Sequence, residues 1–266
     1  VPPRELELDG GRVVVHAWDG EAPRYLALIA HGYGEHARRY DHLAERLVGH
    51  GASVYAPDHP GHGRSRGERA LIGDVDSLVA DLARAAEVAR REHPGLPLVL
   101  IGHSMGGLIA ARFAQTSGGA RPAALVLSGP AIGRNPAIEA LMAMDPLPDV
   151  PIDPDVLSRD PAVGRAYAED PLVYHGPFRR ETLQAFGAAV ERLASGGRLG
   201  PYPVLWIHGA EDQLVPLAGT REAIERLRGE RLEERIYEGA RHEVFNETNR
   251  EQVIDDVLAF IDRSLG

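Results

Sequence analysis

The feature that most constrains the fold is Gly102-His103-Ser104-Met105-Gly106, set directly after the apolar run Pro97-Leu98-Val99-Leu100-Ile101 and directly before the helix-like stretch 107–114. Strand, tight turn and helix with a serine at the apex is the context in which G-x-S-x-G becomes a nucleophile elbow. The pentapeptide alone is a weak signal in a chain with 30 glycines, and its flanks supply the specificity. The glycines have a steric reason. A serine held in a strained turn presents its hydroxyl clear of the sheet only if its neighbours lack a Cβ where strand and helix approach.

Apolar β-rich runs recur at 12–18, 25–30, 52–56, 98–101, 123–127 and 204–207, with a more polar one at 232–237. After the first two, helical patterns intervene, the clearest being Val75, Leu78, Val79, Leu82, Ala86 and Ala89. Val253, Val257, Leu258 and Ile261 mark a last helix, for which Thr248 and Glu251 read as a capping box. Short buried strands alternating with helices predict a mostly parallel sheet covered on both faces, with an antiparallel start. The interval 131–201 breaks this rhythm. It is rich in proline, lacks a strand-like run and carries the apolar patch 138–144, so it reads as an insertion folded over the sheet, between core segments 1–130 and 202–266.

At 266 residues and 44% hydrophobic, one substantial core with an insertion is expected. A net charge of −10 argues against nucleic acid as a partner. The absence of cysteine removes disulfides, thiolate zinc sites and cysteine nucleophiles; the absence of lysine removes Schiff-base and P-loop lysine chemistry. No run approaches a membrane span, and the start Val1-Pro2-Pro3-Arg4 has no signal-peptide core, so a cytoplasmic location is expected; without an initial Met, processing of the N-terminus stays open.

A serine hydroxyl needs a base, and the base an orienting carboxylate, in the chain order Ser, Asp or Glu, His. Asp212 follows the apolar run 204–207 at its carboxyl end, with Glu211 as its rival. His242 lies between the last strand and the last helix. Two backbone donors complete the chemistry: the N–H of Met105, and that of Tyr33 in His31-Gly32-Tyr33-Gly34-Glu35-His36. A metal site from Asp58, His59 and His62 is the weaker reading of a turn that its glycines already explain, and no metal or cofactor is expected.

Three stretches together, His31-Gly32-Tyr33-Gly34-Glu35-His36-Ala37-Arg38-Arg39-Tyr40, Asp58-His59-Pro60-Gly61-His62-Gly63-Arg64-Ser65-Arg66-Gly67-Glu68-Arg69 and Gly102-His103-Ser104-Met105-Gly106-Gly107, resemble the monoacylglycerol lipases of the α/β-hydrolase superfamily. The likeness continues through Val156-Leu157-Ser158-Arg159, Asp170-Pro171-Leu172 and Tyr237-Glu238-Gly239-Ala240, and spans nearly the whole chain. It implies an eight-stranded, mostly parallel sheet flanked by helices. It implies hydrolysis of the single ester of a monoacylglycerol through an acyl-enzyme, with Ser104, Asp212 and His242 as triad and Tyr33 and Met105 as oxyanion donors. The insertion 131–201 becomes a cap forming an acyl tunnel, for which Ile138, Leu141, Met142 and Met144 are offered. Glu35 and Arg39 are offered for the glycerol end. Transient contact of the cap with a membrane surface belongs to the same expectation. A cysteine near the site in some members has no counterpart here, and acyl-length preference does not carry over. A broader carboxylesterase or lysophospholipase shares the machinery, and a non-catalytic binding protein on the same fold is the remote alternative.

Overall fold

The computed structural model describes residues 2–116 and 121–266, which leaves Val1 outside it. Among these residues one sheet has eight strands: β1 (Arg4–Leu8), β2 (Val13–Trp18), β3 (Tyr25–Ala30), β4 (Ala52–Asp58), β5 (Leu98–His103), β6 (Ala124–Ser128), β7 (Val204–Gly209) and β8 (Leu232–Tyr237). Their spatial order is β1-β2-β4-β3-β5-β6-β7-β8. The first two pairings, β1 with β2 and β2 with β4, are antiparallel, and every later pair is parallel. This is the α/β-hydrolase fold.

The strand absent from the sequence reading is β1. Its residues Arg4, Glu5 and Glu7 are charged, and it is exposed along much of its length. An edge strand needs no second apolar face, and charge there discourages pairing with another chain. The inner strands are buried throughout because helices cover both faces. Alternation along β3 divides its side chains, with Leu26, Leu28 and Ala30 in one core and Tyr25, Ala27 and Ile29 in the other. The first core is closed by α2 (Val75–Glu92) and α3 (Met105–Thr116), the second by α1 (Asp41–Gly49) and α8 (Arg250–Leu265).

The connection from β6 to β7 carries α4 (Pro136–Met142), α5 (Pro161–Glu169) and α6 (Arg180–Ser195). Proline at the start of α4 and α5 suits a position whose N–H has no helical partner, and Asn135 and Asp160 accept backbone N–H groups there as caps. Ala185, Ala189 and Leu193 of α6, spaced four apart, join the same core as α2 and α3. No residue of α4 is buried. A further helix, α7 (Leu217–Leu227), connects β7 to β8.

The capping box read at Thr248 and Glu251 does not form. The N-cap of α8 is Asn249, the Thr248 hydroxyl donates to Glu247, and Glu251 is drawn away to Arg46. A long-range ion pair has taken the side chain that a local cap would use.

Parallel registry brings strand ends together. Ala30 lies beside Gly102, His103 beside Ser128, and Gly209 beside Tyr237, so the loops after β3, β5, β6, β7 and β8 meet at one edge. The carboxyl ends of the strands in an open parallel sheet are where such folds place their chemistry.

Candidate active site

Ser104 has a φ of +53° between the end of β5 and the start of α3. An L-residue occupies that region at a cost, and the surroundings hold it there. Its N–H donates to the Ser128 carbonyl (2.9 Å), and its own carbonyl accepts from Gly107 (2.9 Å) and Ala131 (3.1 Å). The turn is closed so tightly that a Cβ at Gly106 would stand 2.0 Å from the Ala30 carbonyl oxygen.

His242 follows β8, and its Nδ1 lies 2.7 Å from Oδ2 of Asp212, which follows β7. Asp212 Oδ1 accepts the N–H groups of Leu214 and Val215, both at 2.9 Å, which aims the other oxygen at the imidazole. Glu211, the rival acid, is exposed. Burial opposes ionisation of Asp212, yet His242 and His208 hold its carboxyl well below the usual range. Burial likewise disfavours a charged His242, but attraction to Asp212 and a hydrogen bond with it outweigh burial, and the pKa of His242 is raised. Beside it His103, ring centroids 4.6 Å apart, is pushed down to about 3 by burial and by His242 itself. Two adjacent imidazoles are thus divided into one that takes a proton and one that stays neutral.

The loop after β3 flanks the serine. A Cβ on Gly32 would lie 3.3 Å from the Cβ of Ser104. Gly32 N–H donates to Glu35 Oε1 at 2.6 Å, and the Tyr33 ring stacks on Phe178 at 5.1 Å. Among the described residues, neither the Tyr33 N–H nor the Met105 N–H has a protein acceptor. Two free donors beside a serine are what an oxyanion requires.

Ser104, His242, Tyr33 and Met105 line one cavity of about 360 Å³. Ile138 and Leu141 line it too, with Ile152, Leu157, Phe178 and Leu214, while Glu35 and Glu243 are its buried carboxylates. Met142 and Met144 do not reach it. Met142 lines a neighbouring cavity, and Met144 is 50% exposed, because a seven-residue helix turns only part of its apolar patch inward. Arg39 is also absent from the lining. Its guanidinium pairs with Glu35 at 2.7 Å and with Glu243 at 2.6 and 2.8 Å, beneath the ring of Tyr167. Arg39 therefore faces two carboxylates rather than the cavity. Glu243 escaped the sequence reading, although a carboxylate directly after the histidine was its visible signal.

The Asp58 turn is a clasp. Asp58 accepts from Ala37 N–H and Arg64 N–H, both at 2.8 Å, and meets His16 Nε2 at 3.1 Å, so both of its oxygens are engaged in holding the turn. Among the described residues, the one cluster with ligand-like spacing is Asp19, Glu92 and His93, where Arg4 already pairs with both acids.

The family described as serine aminopeptidase, S33, matches residues 21–249. A monoacylglycerol lipase of Mycolicibacterium smegmatis is 37% identical over 95% of this chain and 93% of that protein. The monoglyceride lipase of Homo sapiens is 33% identical over 92% of this chain and 84% of its own length. The crystal structure of a Paleococcus ferrophilus monoacylglycerol lipase superposes with a TM-score of 0.81 at 28% identity, covering 95% of this chain and 99% of that one. With its sheet order and full-length similarity to these enzymes, the chain belongs to the monoacylglycerol lipase family of α/β-fold ester hydrolases.

Proposed function

We propose that the protein cleaves monoacylglycerols to glycerol and fatty acid through an acyl-enzyme on Ser104. The observation that carries this reading is one cavity in which a serine at a strained apex and a histidine tied to a buried aspartate share space with an apolar wall and two carboxylates. The apolar wall suits one acyl tail, and the carboxylates Glu35 and Glu243 suit free hydroxyls near the ester. Arg39 already pairs with both acids, so an ammonium group, as a peptide N-terminus would bring, would meet a fixed cation at the same place.

In this mechanism Nδ1–H of His242 donates to Asp212, which leaves Nε2 unprotonated to accept the Ser104 proton as Oγ bonds to the ester carbon. The carbonyl oxygen gains negative charge and is held by the N–H groups of Tyr33 and Met105. His242 then returns the proton to the departing glycerol oxygen, and water repeats the sequence to release the fatty acid. Burial and the lowered pKa of His103 keep a second positive charge away from the imidazolium.

Segment 131–201 acts as the cap over this cavity, and its exposed Met144 and Val150 are the apolar groups that would meet a lipid surface. Among the described residues no helix is long and apolar enough to cross a membrane. A fluorophosphonate is expected to label Ser104 once, with labelling lost in Ser104→Ala. Monoacylglycerols should be cleaved in preference to triacylglycerols, lysophospholipids and p-nitrophenyl esters of equal chain length; equal rates on all would leave an esterase without headgroup selection.

A further inference from the structure

A second cavity, about 660 Å³, lies against the first and is bounded by α4, α6 and α7. It is a cleft open to solvent on one side, with exposed side chains at its mouth and apolar side chains on its inner wall. Among the described residues six line both cavities, and four of them, Ile138, Leu183, Phe186 and Val215, form the larger part of the partition, beside Ala131 and Asn135. Two of the four, Ile138 and Phe186, are only half-buried, and α4, which carries Ile138, buries none of its residues. Phe186 is held on the core side by the Tyr33 ring at 5.8 Å, so Ile138 on α4 is the less enclosed member of the partition.

Beyond the partition the inner wall carries Ile132, Met142, Val190, Ala223 and Leu227 with the buried Thr220, and the exposed Arg134, Glu139, Gln184, Glu191, Glu222 and Arg226 stand around its rim. A polar occupant would find few hydrogen-bonding partners along the inner wall, whereas a hydrocarbon chain loses nothing there. We infer that this second cavity is a continuation of the acyl site, reached past Ile138 and Phe186, and that it takes the distal carbons of long acyl chains. The inference rests on the acyl-ester hydrolysis proposed above, and it makes the partition the element that sets chain length.

Gly187 of α6 lines the second cavity and not the first, and a Cβ there would meet nothing within 4 Å. Gly187→Phe can therefore be accommodated by the backbone while filling space, and Gly187→Ala controls for the change in helix propensity. The ratio of kcat/KM for octanoyl over hexadecanoyl substrates is measured in parallel for monoacylglycerols and p-nitrophenyl esters. Gly187→Phe should raise that ratio about tenfold relative to the parent and to Gly187→Ala, and Ile138→Ala should lower it. A ratio unchanged in Gly187→Phe, or equal losses on both chain lengths with an unaltered melting temperature, would overturn the inference. If the parent cleaves the p-nitrophenyl esters but no monoacylglycerol, the headgroup reading fails while the chain-length ratio still decides the role of this cavity.

Discussion

Arg39 holds Glu243 through two hydrogen bonds of 2.6 and 2.8 Å and so joins the loop after β3 to the loop that carries His242. The same guanidinium reaches Glu35, whose other oxygen accepts the Gly32 N–H at 2.6 Å and the Tyr40 hydroxyl at 2.6 Å. One buried cation is thus shared by two buried carboxylates, both of which line the cavity that holds Ser104. Burial pushes the pKa of Glu35 up against this attraction, while Arg39 overcomes burial at Glu243 and holds it down to about 2.

Removing the cation should therefore do more than weaken headgroup binding. Arg39→Met leaves two uncompensated acids and is expected to cost about 3–5 kcal/mol of stability, read by chemical denaturation. Because Gly32 and Tyr33 lose their anchor, kcat should fall together for a monoacylglycerol and a p-nitrophenyl ester of equal chain length. A loss confined to the monoacylglycerol would instead place Arg39 in direct contact with glycerol.

Asp212→Asn preserves shape while removing the acceptor that fixes the His242 tautomer. The variant should fold normally and lose about 10⁴-fold in kcat, by analogy with the same change in serine proteases. Glu211→Gln should retain activity near that of the parent, since Glu211 is exposed. Steady-state kinetics of the two variants side by side would expose a misplaced acid.

The pKa of His242 is raised, because Asp212 outweighs burial. A raised value means that the base stays protonated to higher pH than a free imidazole. The rate constant kcat/KM should rise with pH, with its midpoint above the ordinary histidine value of about 6.5. Asp212→Asn should move the midpoint of the residual activity downward. A midpoint in the parent below that of a free imidazole would contradict this.

Other histidines govern stability in acid. Burial pushes His59 down to about 3 and His62 down to about 4, each helped by a neighbouring imidazole or guanidinium. Between those values and about 6.5 the unfolded chain binds protons that the native state refuses, so stability must fall as pH falls through that window. Each such group contributes up to about 1.4 kcal/mol per pH unit. Urea midpoints measured from pH 7 to pH 4 should therefore decline, and a flat profile would show that these rings are not held neutral.

Where chemistry depends on neighbours in sequence, it was legible without a structure. The Ser104 turn is local: an apolar strand, a helix and glycines with no Cβ to spare. That Asp212 and His242 would meet was legible because each follows a strand at its carboxyl end, and parallel pairing forces those ends to one edge. The short apolar runs that mark buried strands also carried the sheet, apart from β1, a charged strand at the edge. What the tertiary structure alone decided are matters of distance between remote residues. Glu251 serves Arg46 rather than a cap, Met142 and Met144 turn away from the serine, and Arg39 spends its hydrogen bonds on Glu35 and Glu243. A side chain's partner across space depends on which loops the folded sheet brings together, and no pattern within a single segment encodes that choice.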